Sequence, residues 1–146
     1  MALRALQEII VPYQGGGMLE IHTHQKIDQT LCGQPLVLGD GFSQVSLVPS
    51  AQMVVDESGL VHGGFIFGLA DYAAMICVNH PHVVLGSADV KFLKPVKMND
   101  SLLAEAKLET SEGRKRIVHV IVKKDDITVF EGVFTCFVLD KHVLAK

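Results

Sequence analysis

The chain has 146 residues, of which 49% are hydrophobic and 20% charged, and its formal net charge is -3. This length and composition predict one globular domain with a substantial core, not a disordered chain. The slight negative charge gives no electrostatic basis for binding nucleic acid. The longest apolar run contains Asp71 and is too short to cross a membrane. The three cysteines are odd in number and far apart, which argues against disulfides and zinc and indicates a cytoplasmic protein.

The first part of the chain is predicted to stand apart from the core. Apolar residues recur at helical spacing over residues 2–13, which predicts a short amphipathic helix. Three consecutive glycines, Gly15-Gly16-Gly17, then break the pattern. We therefore expect residues 1–17 to be an accessory segment, an alternative start or an expression remnant, and residues 18–146 to form a single domain.

The next part of the chain predicts a short helix and a hairpin. Thr23 is expected to cap a helix over residues 24–32, and Gly33 is expected to end it. Two β-type runs follow on either side of the turn Gly39-Asp40-Gly41, which predicts a hairpin. Residues 49–61 are rich in small and acidic side chains and predict a loop.

A long apolar stretch begins at Gly63-Gly64 and runs to Val78. Because it is apolar all round, it predicts a helix buried on most of its circumference. Pro81 prevents its continuation, and four β-type runs follow, over residues 82–93, 101–110, 114–123 and 127–139. We expect an α+β fold in which an antiparallel sheet of five to six strands, the last four in a meander, wraps around this central helix. A curved sheet covers one side of the helix only, so we expect a second copy to cover the other.

The central helix carries two features of chemical interest. Gly63 and Gly64 place backbone N–H groups at the positive end of the helix dipole, where they can hold an anion or a carbonyl oxygen that becomes negative. Alternatively, these glycines simply permit close packing. Asp71 is the only charge in the stretch and lies about 10 Å beyond Gly64 along the helix axis. It therefore cannot act on a group bound at the start of its own helix. If two such helices lie antiparallel across a two-fold axis, Asp71 of one chain approaches the glycines of the other.

The run Gly59-x-x-His62-Gly63-Gly64-x-x-x-x-Leu69-x-Asp71 resembles the signature of hotdog-fold acyl-CoA thioesterases, specifically the phenylacetate-pathway-like subgroup. In that signature an Asn lies six residues before the His and a catalytic Asp nine residues after it. Asp56 and Asp71 occupy these two positions here. The resemblance covers roughly residues 31–140. It implies a hotdog fold, thioester hydrolysis without a cofactor or metal, and a homodimer or a dimer of dimers.

The resemblance also implies a role for each residue of the motif. The thioester carbonyl would lie against the Gly63 and Gly64 amides, while Asp71 of the partner chain would activate water or attack directly. His62 would orient the thioester or the water. Asp56 replaces a neutral Asn, and two carboxylates in one pocket should raise the pKa of one of them.

Three further residues are candidates for substrate binding. The Ser or Thr that many members carry in the strand after the helix aligns with Leu85, and Ser87 lies two residues away. Lys94 and Lys97, on or just after that strand, are the favoured contacts for the phosphates of CoA. Two histidine pairs, His22/His24 and His80/His82, have no third ligand at a metal spacing, so we expect no metal site.

The leading hypothesis is therefore a hydrolase of acyl-CoA or related thioesters. The alternative is a non-catalytic acyl-CoA-binding module that acts as a sensor or carrier. Asp71 favours the enzyme, whereas Asp56 and the missing Ser or Thr at Leu85 keep the binding module open as an alternative. A hotdog dehydratase or hydratase is least favoured, because it would pair a His with an acid on a different pattern. The acyl group, and whether its carrier is CoA or a protein, are left open.

Overall fold

The structure is a computed structural model that describes residues 8–146. It begins with two short antiparallel strands, β1 (Ile10–Pro12) and β2 (Met18–Glu20). The helix expected over residues 2–13 is wrong for residues 8–13, which are not helical, and its earlier part lies outside the described residues. The cause is the β-branched run Ile9-Ile10-Val11 before Pro12, which favours extended chain over helix. Val11 is 5% exposed and packs in the core.

The first helix is shorter than expected. It is α1 (Gln29–Cys32), and its N-cap is Asp28, whose carboxylate accepts a hydrogen bond from the Thr30 N–H. The prediction of a Thr23 cap is wrong, since the Thr23 hydroxyl instead lies 2.7 Å from His24 Nδ1. Gly33 ends the helix as predicted. Its φ of 111° and the neighbouring side chains, which would lie 2.7 Å from a Cβ, both require glycine.

Six strands form one antiparallel sheet. They are β3 (Gln34–Gly39), β4 (Phe42–Leu47), β5 (Val83–Phe92), β6 (Leu102–Glu112), β7 (Lys115–Lys124) and β8 (Ile127–Val138). The spatial order is β3-β4-β6-β7-β8-β5, with every pair antiparallel. The four-strand meander is therefore wrong: only β6, β7 and β8 form one, and β5 lies beyond β8 at the edge. Alternation of side chains shows which face a residue occupies, but not which strand lies beside it.

The sheet packs around one long helix, α2 (Gly63–Val78), which confirms the predicted α+β hotdog architecture. Nine of its side chains are buried, among them Leu69, Tyr72 and Ile76. The Ser43 hydroxyl of β4 donates a 2.6 Å hydrogen bond to the Ala73 carbonyl and fixes the middle of the helix to the sheet. Asn79 ends the helix in a left-handed conformation. Within residues 8–146, no helix has the length and apolar character needed to cross a membrane.

Candidate active site

The first turn of α2 is organised by His62, which is its N-cap residue. The His62 ring accepts a 2.7 Å hydrogen bond at Nδ1 from the Gly64 N–H. Because a backbone N–H can only donate, Nδ1 is the acceptor and the proton of the neutral ring is on Nε2. A Cβ at Gly64 would lie 2.8 Å from Nδ1, so this cap requires a glycine there. His62 is exposed and presents an Nε2–H donor at the start of the helix.

The two glycine amides are not equivalent. The Gly64 N–H is occupied by the His62 ring. Gly63, in the first helical position, has no intrahelical acceptor for its N–H. The Phe92 ring lies against Gly63, where a Cβ would be 3.1 Å from Phe92 Cε1. In this structure Gly63 is therefore the better-placed donor of the two, and the role of both amides in catalysis stays a prediction.

A cleft of about 300 Å³ opens beside this first turn. Gly63 and Ile66 of α2 line one wall, and the segment after β5, which includes Lys94, lines the other. Leu60 pairs with Lys97 through an isolated bridge, and Leu60 also lines the cleft. The structure thus brings Lys94 close to Gly63 and places the exposed Lys97 just outside.

Asp71 lies in the middle of α2 and is not among the residues that line this cleft. The side chain is half-buried, and its Oδ1 is buried without a hydrogen-bond partner among the described residues. Loss of solvation on burial raises the pKa of Asp71 to about 6. Burial and, secondarily, the charge of Asp71 raise the pKa of the Cys136 thiol to about 12. Burial, followed by the charges of Asp28 and Asp71, raises the pKa of the Cys32 thiol. Both thiols therefore stay neutral near pH 7 and are poor nucleophiles.

Asp56 lies at the exposed tip of the loop before α2. Its Oδ1 accepts hydrogen bonds from the Ser58 hydroxyl at 2.5 Å and from the Ser58 N–H at 2.9 Å. The Ser58 hydroxyl bond holds the pKa of Asp56 below its usual value. Within one chain, burial alone causes the raised pKa of Asp71. That Asp56 and Asp71 share one pocket stays a prediction.

Ser87 is exposed on β5 opposite Thr135, outside the cleft. Sequence reasoning assigned no role to Phe92, although its ring covers Gly63 and packs edge-on against Phe130 at 5.2 Å between centroids. The sequence feature that could have identified Phe92 is an aromatic residue at the end of the strand that follows a helix beginning with two glycines. In the part of the chain that the structure describes, no group of three or more His, Cys, Asp or Glu has an arrangement suited to a metal ion.

Comparison with known proteins assigns the family. The family model described as thioesterase superfamily matches residues 58–131, which include α2, strands β5 to β7 and the start of β8. The match covers just over half of the chain. The chain belongs to the thioesterase superfamily.

Three similar proteins differ widely in name. The crystal structure of the uncharacterized protein PH1136 from Pyrococcus horikoshii is 51% identical with a TM-score of 0.86, over 87% of this chain and 98% of that one. A methylthioribose-1-phosphate isomerase of Aquifex aeolicus is 47% identical over 84% of this chain and 27% of that protein. The transcription factor FapR of a Thermoanaerobacter species is 33% identical over 67% of this chain and 49% of that protein. The chain thus spans at most about half the length of these two curated relatives.

Two more distant structures show the fold alone. PaaI of the phenylacetic acid degradation operon in E. coli is 22% identical with a TM-score of 0.71, over 78% of this chain and 84% of that one. A hypothetical thioesterase of Streptococcus pneumoniae, solved with coenzyme A, is 20% identical with a TM-score of 0.68, over 75% of this chain and 87% of that one. The predicted superfamily is therefore confirmed, whereas the phenylacetate-pathway-like subgroup is only a distant likeness.

Proposed function

We propose that the chain hydrolyses an acyl-CoA or a similar thioester to a free acid and a thiol, in a site shared by two subunits. The proposal rests mainly on the environment of the Asp71 carboxyl group. A carboxyl group with a buried, unpartnered oxygen and a raised pKa is costly to keep in an apolar helix. Such groups concentrate at functional sites, where a pKa near the working pH suits a general base.

Helix geometry supports a site shared between subunits. Asp71 lies about 12 Å along the axis from Gly63, too far to act on a carbonyl bound at the Gly63 amide of the same helix. In an antiparallel pair of α2 helices, each Asp71 approaches the other chain's Gly63. Each helix then supplies half of two equivalent sites.

The edge of the sheet supports the same assembly. Within the chain, β5 pairs with β8 on one side only, and Gly86 to Asp89 are exposed along it. An open strand edge with free N–H and C=O groups is a template for a second strand. Next to it, Phe92 and Leu93 are 56% and 44% exposed, and grouped exposed apolar side chains are typical of interfaces. We infer a homodimer joined along β5, with a dimer of dimers as a further option.

The chemistry requires few groups. Asp71 takes a proton from a water molecule while the oxygen of that water attacks the thioester carbon. The Gly63 N–H and the His62 Nε2–H stabilise the oxyanion that forms. Collapse of the tetrahedral intermediate breaks the C–S bond, and the thiolate leaves with the proton returned by Asp71. The products are one carboxylic acid and one thiol. Thiolate is a fair leaving group, so this scheme uses neither a nucleophilic triad nor a cofactor.

The remaining predicted residues fit the periphery of this site. Lys94 lines the cleft beside Gly63 and is suited to a phosphate or pantetheine group of CoA, with Lys97 further out. Asp56 shapes the loop tip through Ser58 and would reach substrate only by leaving that bond. Ser87, on the open edge of β5, would contact substrate only across the dimer interface.

A second candidate function is acyl-CoA binding without hydrolysis. The observation that favours it is the 33% identity to proteins named as transcription factors, over about half of their length. A ligand-sensing module needs the cleft and the Gly63 donor, but does not need a raised pKa at Asp71. The two candidates therefore differ at this one residue.

A panel of acyl-CoA thioesters separates the two functions. Free thiol release is measured for the wild-type chain and for Asp71→Asn, with Asp126→Asn, an exposed turn residue, as the matched control. We expect turnover by the wild type and by the control, and a loss of roughly 10²–10⁴-fold with Asp71→Asn, the usual effect of removing a general base. Tight binding of several thioesters without release of thiol would establish the binding module instead. Full activity of Asp71→Asn would show that another group is the base.

A further inference from the structure

A second cavity lies near the other end of α2 from the cleft. Its volume is about 400 Å³, which is within the usual range for small-molecule pockets. Three histidines separated in sequence, His24, His82 and His142, meet there with Thr23. The other walls are apolar and come from Pro81, Val83, Val84, Leu85 and Val143. It shares no lining residue with the cleft at Gly63.

The hydrogen bonds of these rings determine what they can offer a ligand. His142 Nδ1 accepts a 3.0 Å bond from the Leu144 N–H, so the proton of its neutral ring is on Nε2. His24 Nδ1 is engaged by the Thr23 hydroxyl at 2.7 Å. His82 Nδ1 is buried without a partner among the described residues. In His24 and His142 the polar atom left for a ligand is therefore Nε2, and in His142 it carries the proton. The neutral rings of His24 and His82 can carry their proton on either nitrogen.

The Nε2–H tautomer of His142 is unsuited to binding a metal ion and suited to binding an anion. A histidine that ligates through Nε2 needs a lone pair there, and it normally donates its Nδ1–H to a carbonyl or carboxylate. His142 does the reverse, because its Nδ1 accepts from the backbone. The cavity lining contains no carboxylate to repel an anion, and the last turn of α2, the negative end of the helix dipole, is not part of it.

The backbone at His24 adds a separate observation. Its φ of 53° is in the left-handed region, which residues other than glycine occupy uncommonly. Such conformations cluster at ligand-binding positions, where the surrounding structure maintains them. Thr23 beside it is only 5% exposed. The pair is therefore a fixed part of the cavity wall.

We propose that this cavity binds a small organic carboxylate, whose oxygens accept hydrogen bonds from the ring N–H groups and whose apolar body packs against the valine, leucine and proline walls. This site is independent of the proposed hydrolysis. A positively charged side chain is not required, because the neutral His142 ring already presents an Nε2–H donor. The apolar walls favour an organic anion over a hydrated inorganic one.

Titration of the ¹⁵N-labelled full chain with hexanoate tests the proposal. Two-bond ¹H–¹⁵N spectra should show the Nε2–H tautomer of His142 and saturable shifts of the three cavity histidines, with a Kd in roughly the millimolar range expected for so small a ligand. His142→Leu should weaken binding by about tenfold, the effect of one lost hydrogen bond, while His142→Gln, which keeps an N–H donor, should lose less. His22→Leu is the matched control, because His22 is exposed and outside the cavity lining.

Five results would overturn the proposal. Hexan-1-ol binding as tightly as hexanoate would show that no anion is recognised. Phosphate binding as tightly would show that the site has no preference for an organic acid. Zn²⁺ binding at the three histidines, or an Nδ1–H tautomer of His142, would point to a metal site. Absence of saturable shifts with a correctly folded chain would show that the cavity has no carboxylate affinity.

Discussion

Two turns of the same helix differ sharply. In the first turn of α2, the exposed His62 ring accepts a hydrogen bond from the backbone N–H of Gly64. Two turns later, Asp71 has a buried oxygen without a partner in the described chain and a pKa raised to about 6. A buried carboxyl oxygen without a partner is costly in an apolar helix, and this cost is why we propose a role for Asp71 in hydrolysis.

Apart from the loss of Asp71, the largest expected effect comes from removing the donor of the first turn. Gly63→Pro deletes the N–H at the first helical position, where proline is otherwise well tolerated. Gly63→Ala adds a comparable contact with Phe92 but keeps the N–H. We expect kcat/KM for the best thioester to fall by roughly 10²–10³ more in Gly63→Pro than in Gly63→Ala, as for other oxyanion donors. Equal losses would show that packing against Phe92, and not the donor, explains the glycine.

The next effect concerns stability at the middle turn. The raised pKa of Asp71 means that the folded state holds its proton more tightly than the unfolded chain. The stabilisation from this protonation is complete below about pH 4 and is lost as pH rises through about 6. Asp71→Asn cannot ionise, so its free energy of unfolding should exceed that of the wild type by about 2 kcal/mol at pH 7.5, after allowance for partial exposure.

Urea unfolding at pH 4 and pH 7.5 measures this difference, with Asp126→Asn as the exposed control. At pH 4 the free energy of unfolding of Asp71→Asn should no longer exceed that of the wild type. An Asp71→Asn protein that is no more stable than the wild type at pH 7.5 would show that the carboxylate is already paired, for example across the dimer.

A third effect is the pH dependence of hydrolysis. If the ionised form of Asp71 is the base, log(kcat/KM) should rise with a slope of about one and level off near pH 6. If log(kcat/KM) instead levels off near pH 4, the base is an Asp in an ordinary environment. The pH dependence is measured between pH 4.5 and 8 on enzyme shown to refold fully after exposure to the lowest pH.

The smallest effect concerns the hydrogen bond from the Ser43 hydroxyl to the middle of α2. Ser43→Ala removes the hydrogen bond to the Ala73 carbonyl and should lower the free energy of unfolding by about 1 kcal/mol. Because the sheet still packs on α2, kcat/KM should change less than about threefold. Ser46→Ala, which removes a weaker 3.5 Å contact, is the control. A tenfold loss of activity in Ser43→Ala would show that this bond positions Asp71.

Local patterns predicted much of the fold. The apolar run from Gly63, the turn around Asp40 and the stop at Gly33 are all determined by neighbours in sequence, and all three predictions are confirmed. The position of β5 beyond β8 was missed, because strand order depends on contacts between distant segments. The helix predicted over residues 2–13 is wrong for residues 8–13, because the prediction followed apolar spacing and gave too little weight to the β-branched residues before Pro12.

The sequence identified candidate residues for the site but did not predict the hydrogen bonds that they make. Spacing alone placed Asp71 away from its own helix start, and the structure agrees, since Asp71 does not line the cleft. Spacing did not reveal that the His62 ring occupies the Gly64 amide, or that Ser58 holds Asp56. Those contacts depend on side-chain rotamers, which residue order does not determine.

We propose that each site takes its donor from one chain and its carboxylate from another. Mixing inactive Gly63→Pro with inactive Asp71→Asn tests it, because each hybrid dimer contains one site with both groups intact. With random exchange of subunits, about a quarter of wild-type activity should return. If mass spectrometry of differently tagged chains shows hybrid dimers and no activity returns, the two groups do not meet across an interface and the shared site is contradicted.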